Sequence, residues 1–262
     1  MTSRPVALVT GASSGIGREI ARLFAADRWD LVLVARREEA LRELAGELNE
    51  RHGVVAHVVC ADLADPAGPA RIATEVAARG LEVEALVNSA GLGVWGRFVE
   101  TDWHAERELL AVNVVALTEL TKRLLPGMLE RGRGRILNVA STAAFQPGPL
   151  MAVYFASKVY VLHFSIALGV ELERTGVTVT TLCPGPTRSG FADIAGAKGS
   201  KLFAGGRGMA ATEVARAGYD AMLGGRGLLI LGAWNKVLAF SARWVPRAFA
   251  ARVARRMAER AA

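Results

Sequence analysis

Short runs of β-branched and Leu-rich residues alternate along this chain with longer stretches in which apolar residues recur every third or fourth position. The runs fall at residues 6–10, 31–35, 54–60, 85–88, 135–140, 177–183 and 227–231 and are rich in Val, Leu and Ile. Strands apolar on both faces belong to a parallel sheet sandwiched between helical layers, because a sheet with one wet face alternates apolar with polar. The stretches between them carry the helical signature. Ile20, Leu23 and Phe24 share a face after the first run, Leu41, Leu44 and Leu48 share one after the second, and the opposite faces are charged. The alternation predicts an α/β fold in which a mainly seven-stranded, doubly wound parallel sheet carries helices on both faces. One domain accounts for residues 1–232, and residues 233–262 read as a basic amphipathic helical tail packed on it or extending from it.

Composition supports a large core: of 262 residues, 52% are hydrophobic and 22% charged, which excludes a disordered chain. Residues 1–5 run straight into the first strand without the sections of a secretion signal, and Gly, Arg or Asp interrupts every apolar stretch before about 18 residues. Cys60 and Cys183 end separate strands without metal-ligand spacing and read as buried apolar thiols, so a cytoplasmic protein is expected. His52, His57, His104 and His163 are scattered, and no metal site is expected. The formal charge of +7 matters for its location. From Arg226 onward seven Arg and one Lys face the single acid Glu259, so the rest of the chain is neutral on balance. A charged partner is therefore a question about the tail.

Candidate chemistry starts where the first strand ends. In Gly11-Ala12-Ser13-Ser14-Gly15-Ile16-Gly17, Gly11 permits a tight turn, Gly15 lets backbone approach a pyrophosphate, and Gly17 allows close helix packing. The free N–H groups of the following helix face the same point. Such a strand, glycine loop and helix bind an anionic dinucleotide in Rossmann-like folds.

The spacing GxxxGxG, followed in order by Asp62, Asn88-Ser89-Ala90-Gly91, Asn113, Ser141, Tyr154-Phe-Ala-Ser-Lys158 and Pro184-Gly185-Pro186-Thr187, resembles the short-chain dehydrogenase/reductase family over roughly residues 5–232. The resemblance implies an oxidoreductase exchanging a hydride between a nicotinamide and a carbonyl or alcohol, and a homo-oligomer, dimer or tetramer. It also implies that Asp62, with Leu63 beside it, meets the adenine and that Asn88, Ala90 and Gly91 line the cofactor cleft. Pro184, Gly185 and Thr187 would border the nicotinamide, with Thr187 offering backbone to its carboxamide and Ser189 standing where relatives often carry threonine. Lys158 would hold the nicotinamide ribose, and Asn113 would order a water-linked proton relay. Ser89 departs from the commoner second asparagine.

Cofactor choice and proton transfer follow from the chemistry of the residues as well. NAD binding calls for an acid at the end of the second strand, to accept hydrogen bonds from the adenosine ribose. Ala35-Arg36-Arg37 stands there instead; Arg36 can fork onto a 2′-phosphate and Arg37 can assist, so NADP(H) is the expected cofactor. A carbonyl gaining a hydride becomes an alkoxide and needs a proton donor and a second hydrogen bond, which Tyr154 and Ser141 can supply. An ammonium at Lys158 would favour the phenolate of Tyr154.

Residues 92–97, 142–151 and 188–208 should surround the substrate. They and their neighbours carry Trp95, Phe98, Phe145, Leu150, Phe191 and Phe203, which either line a site for an apolar substrate or pack loops and subunits. The stretch 196–208 reads as a mobile loop and a candidate lid. In the tail, Trp234, Val237, Leu238, Trp244 and Val245 share one arc with Lys236 and Arg243 opposite, and Phe249, Val253 and Met257 form a stripe amid five arginines. Packing on the domain, contact with a sister subunit and peripheral contact with a membrane all fit such a segment; nucleic acid does not, for want of a recognition fold. A non-catalytic dinucleotide sensor or scaffold is the alternative to an enzyme, and an epimerase or dehydratase retaining its nicotinamide is a third reading.

Overall fold

The strands fall where the apolar runs are: β1 (Val6–Thr10), β2 (Asp30–Ala35), β3 (Ala56–Cys60), β4 (Val83–Asn88), β5 (Gly134–Val139) and β6 (Val177–Cys183), then β7 (Thr187–Arg188), β8 (Met209–Ala210) and β9 (Leu228–Ile230). The helices are α1 (Gly15–Ala26), α2 (Glu38–His52), α3 (Gly68–Ala78), α4 (Trp103–Leu110), α5 (Leu117–Glu130), α6 (Ala152–Glu171), α7 (Phe191–Ile194), α8 (Ala211–Leu223), α9 (Ala233–Ser241) and α10 (Arg247–Ala258). The computed structural model describes residues 4–201, 203, 208–242 and 244–260. Arg243, and residues 202 and 204–207 of the expected lid, lie outside them.

Seven parallel strands form the sheet in the order β3-β2-β1-β4-β5-β6-β9. All five β1 residues are buried, as a strand covered on both faces must be. On one face Phe24, Leu41, Leu44 and Tyr219 bring α1, α2 and α8 onto the sheet. On the other, Ile72, Leu120, Met128 and Leu172 bring in α3, α5 and the end of α6. The chain winds outward from β1 to β3, then returns to lay β4 on the other side of β1. At such a reversal successive loops diverge and leave a crevice beyond the carboxyl ends of β1 and β4. The glycine loop stands there.

Three features depart from the sequence reading. β7 and β8 pair in a separate two-stranded sheet; two-residue strands are too short to show a period. Cys60 is exposed, its thiol donating to the Arg36 carbonyl, whereas Cys183 is buried as expected. The interruption by Gly, Arg or Asp expected in every apolar stretch does not rule out α6, which even with Lys158 and Gly169 is long and apolar enough by composition alone to cross a membrane. Its Phe155, Lys158, Val161, Leu162 and Ser165 are buried against the protein.

Candidate active site

Ser14 precedes α1 in extended conformation and places no side chain over the helix end, so the N–H groups of the first turn are open to an anion. Gly15 has φ +57°, and a Cβ there would stand 2.9 Å from Ser189 Cβ. A Cβ at Gly17 would meet the Gly11 carbonyl oxygen at 2.6 Å. Gly15 is thus required for the loop to close on the chain after β6, and Gly17 for α1 to pack against the start of the loop. Thr10 fixes the other wall: its hydroxyl donates to the Val87 carbonyl and accepts from Ser89 N at 3.0 Å and Ala90 N at 3.1 Å.

At the crevice's far end, Ser141 leaves β5 and caps a 3₁₀ turn (Thr142–Phe145), its hydroxyl accepting from Ala143 N at 3.1 Å. Tyr154 and Lys158, one turn apart near the start of α6, share a face. Lys158 Nζ donates to the Val139 carbonyl at 2.8 Å and lies 5.8 Å from the centroid of the Tyr154 ring. Asn113 sits in a π-helical turn (Ala111–Ala116) between α4 and α5, a widening of the helix common at functional sites. Its Oδ1 accepts from Leu92 N at 2.8 Å, and its Nδ2 donates to Leu92 O and to Ser157 Oγ, both at 3.0 Å. With both amide hydrogens engaged, the Asn113 side chain positions the loop after β4 against α6. Ser157, given no role from sequence, completes that clamp by donating to the Tyr154 carbonyl at 2.7 Å. Its place beside the lysine was the only signal.

Burial sets the proton chemistry. Tyr154 is partly open to the cavity, but its hydroxyl is desolvated enough to push the phenol up to about 12, against a downward pull from Ser141. The lowering expected from a Lys158 ammonium does not prevail: desolvation dominates, and the phenol stays protonated at neutral pH. Lys158 itself is lowered to about 8 by burial.

A cavity of about 470 Å³ joins the two ends. Of the residues expected from sequence, Gly11, Ser14, Gly15, Ile16, Ala90, Gly91, Ser141, Tyr154, Lys158, Pro184, Gly185, Thr187 and Ser189 line it. Ser13, Gly17, Arg36, Arg37, Asp62, Leu63, Asn88 and Asn113 do not. Arg37 reaches across the glycine loop, Nη2 donating to Ser13 Oγ at 3.1 Å and Ser13 O at 3.3 Å, while Arg36 is exposed at the end of β2. Asp62 turns its carboxylate onto Ala64 N. Asn88 points behind the wall, donating to Thr121 Oγ1 and to Asn138 Oδ1. The sequence gives no sign of that buried network, because Asn138 and Ser165, which continue it, lie on different elements.

The end of the cavity beyond Tyr154 is apolar. Phe145, Phe191 and Phe203 line it, and Phe191 packs 5.1 Å from the Tyr154 ring. Phe98 is exposed away from it, and Leu150, in a left-handed turn at φ +67°, offers its carbonyl to Gly96 N. The tail supplies what the loops were not expected to: Asn235, Leu238 and Ala239 of α9 and Val253 and Met257 of α10 also line the cavity. Trp95 Nε1 donates to Ala258 O at 2.8 Å, Lys201 N donates to Glu259 O at 2.9 Å, and Ser200 and Arg260 form an antiparallel bridge. These contacts join residues far apart in the chain, and no local pattern encodes them.

Residues 5–198 match the family model described as short chain dehydrogenase. Among curated proteins, sulfoacetaldehyde reductase 2 of Chromohalobacter salexigens is 38% identical over 191 residues, 71% of this chain and 74% of that one. Among solved structures, a short-chain dehydrogenase from Sphingobium yanoikuyae in complex with NADPH has a TM-score of 0.83 at 31% identity, covering 92% of this chain and 93% of the other. A bulky-bulky ketone specific alcohol dehydrogenase from Comamonas testosteroni has a TM-score of 0.79 at 30% identity, over 93% of each chain.

Proposed function

The chain belongs to the short-chain dehydrogenase family and is an oxidoreductase of carbonyl and alcohol groups, and we propose that it is an NADP(H)-dependent reductase of apolar ketones. The observation that carries the reading is one cavity with a glycine loop and an open helix end at one extremity and Ser141, Tyr154 and Lys158 at the other, walled by phenylalanines. The glycines leave a cradle that a single Cβ would fill, so the residues present fit a nicotinamide dinucleotide. Arg36, with no acid at the end of β2, favours its 2′-phosphorylated form, and the NADPH carried by the Sphingobium structure is consistent with that.

A nicotinamide dinucleotide supplies the hydride when bound. The open N–H groups of α1 would hold its pyrophosphate, and Lys158, withdrawn among apolar neighbours, would hold its ribose hydroxyls. A substrate carbonyl pressed against Phe191 and Phe145 presents its oxygen to the Tyr154 and Ser141 hydroxyls. As negative charge gathers on that oxygen, the Tyr154 O–H transfers its proton and Ser141 keeps its hydrogen bond. Asn113 and Ser157 hold Tyr154 in place through its carbonyl. The alcohol product leaves by the apolar mouth.

The reading is tested by following nicotinamide absorbance with a panel of ketones, aldehydes and alcohols and both cofactors. NADPH oxidation with bulky apolar ketones, at kcat/KM at least tenfold above small polar aldehydes, is expected; preference for small charged carbonyls would overturn the substrate class. The lysine makes a second prediction. Its folded-state pKa, lowered to about 8, leaves it charged below that pH and neutral above. Since an anionic cofactor favours the charged form, NADPH affinity should hold at lower pH and weaken up to tenfold per unit above about 8. Fluorescence titrations from pH 6.5 to 9.5 would read this, and a flat profile would refute it.

A further inference from the structure

The tail turns its small residues inward and its large ones out. Ala239 of α9 and Ala254 and Ala258 of α10 are buried. The outer surface carries Trp234 at 71% exposure, Phe240 at 64%, Trp244 at 80% and Phe249 at 56%. Single exposed apolar residues are ordinary, but four large aromatics on one short segment are a patch. This patch is continuous with the mouth of the substrate cavity: Leu238, Val253 and Met257 both line the cavity and are more than 40% exposed. On α10 the apolar stripe Phe249, Val253, Met257 runs beside Arg252, Arg255 and Arg256, all exposed.

We propose that the outer face of α9 and α10 docks on an anionic lipid surface, so that the substrate cavity opens against the bilayer and takes apolar ketones from it. The occupant is chosen by charge. Lys236, Arg247, Arg252, Arg255, Arg256 and Arg260 are all exposed around the patch, and Glu259, the one acid after residue 226, lies within 3.9 Å of Arg255 and 3.8 Å of Lys201. A second copy meeting this face about a two-fold axis would set these cations against themselves. Lipid phosphates complement them, while Trp and Phe seat at the depth of the headgroups. The lipid-borne substrate rests on the apolar-ketone reading given above; the docking does not.

The experiment is sedimentation of the full chain with phosphatidylglycerol–phosphatidylcholine vesicles and with pure phosphatidylcholine vesicles. Preferential pelleting with the anionic vesicles, weakened by salt, is expected. Trp234→Ser with Trp244→Ser, and separately Arg252→Glu with Arg256→Glu, should each reduce binding at least roughly tenfold. These residues lie outside the cavity lining, so melting and NADPH titration should be unchanged. Turnover of a bilayer-partitioned ketone should rise on anionic vesicles for the parent chain only, and that of a water-soluble carbonyl for neither. Failure of the parent chain to pellet, or pelleting that both variants retain, overturns the docking. So does a dimer that the tryptophan variant dissociates while vesicles stay unbound, which would assign the face to a second copy. Absence of turnover with every carbonyl would refute the catalytic reading and leave the sedimentation result standing.

Discussion

Tyr154→Phe is expected to lower kcat for ketone reduction about a thousandfold, with NADPH affinity changed less than threefold. The size follows from what is removed. The phenol is both the proton donor and one of two hydrogen-bond donors on the developing alkoxide, and such losses cost about 10²–10⁴ in rate each way they are measured. The affinity is spared because the phenylalanine ring keeps its packing on Phe191 at the same 5.1 Å spacing and Lys158 keeps its bond to Val139 O. Ser141→Ala, which leaves the acid in place, should cost about a hundredfold. Single-turnover measurements with saturating NADPH separate the chemical step from binding. A phenylalanine variant that turns over at the parent rate would sink the mechanism. A parent chain that binds NADPH but reduces nothing would favour a dinucleotide sensor.

The pH behaviour of Tyr154 sharpens this. Because burial holds its hydroxyl up to about 12, the reductive direction does not lose its proton donor through neutral and mildly alkaline pH. The alcohol-oxidising direction needs the phenolate and must rise with pH across the same range. From the sequence, an ammonium one turn away at Lys158 is expected to favour the phenolate. What the sequence did not reveal is that Lys158 spends its ammonium on a backbone carbonyl and that the chain encloses both groups.

That difference marks where the sequence is readable and where it is not. Val6–Thr10 and Val177–Cys183 are recovered to the residue, because both are short runs of β-branched and apolar residues, threonines included, that stop where the chain turns out. Ser141, Tyr154, Lys158 and the glycine loop are recognisable because each sits at the carboxyl end of a strand or the start of a helix, positions the alternation already locates. Asn88 is legible as a residue but not as a side chain: the end of β4 could present it to the cofactor or to β5, and Asn138 decides for β5. The tail is the larger omission. Its helices are periodic enough to be foreseen, but their return over the cavity depends on Trp95, Ser200 and Lys201, each separated from its partner by more of the chain than any pattern spans.

Arg36→Asp is expected to reverse the cofactor preference, lowering kcat/KM with NADPH by about 10²-fold while NADH gains. A fork of charge-assisted hydrogen bonds to a phosphate is worth roughly 1.5–3 kcal/mol, or about ten- to a hundredfold, and a carboxylate in its place adds repulsion from the dianion. The same carboxylate can accept the ribose hydroxyls of NADH. Arg37→Ala should behave differently. Because its guanidinium is bound to Ser13 in the glycine loop, its loss should loosen the pyrophosphate site for both cofactors, leaving their ratio within a few fold of the parent. The contrast therefore separates recognition of the 2′-phosphate from support of the loop, which a double variant would merge. Steady-state kinetics with both cofactors for the two single variants reads it directly. NADH preferred by the parent chain, or a ratio moved by Arg37→Ala and not by Arg36→Asp, would place the phosphate elsewhere.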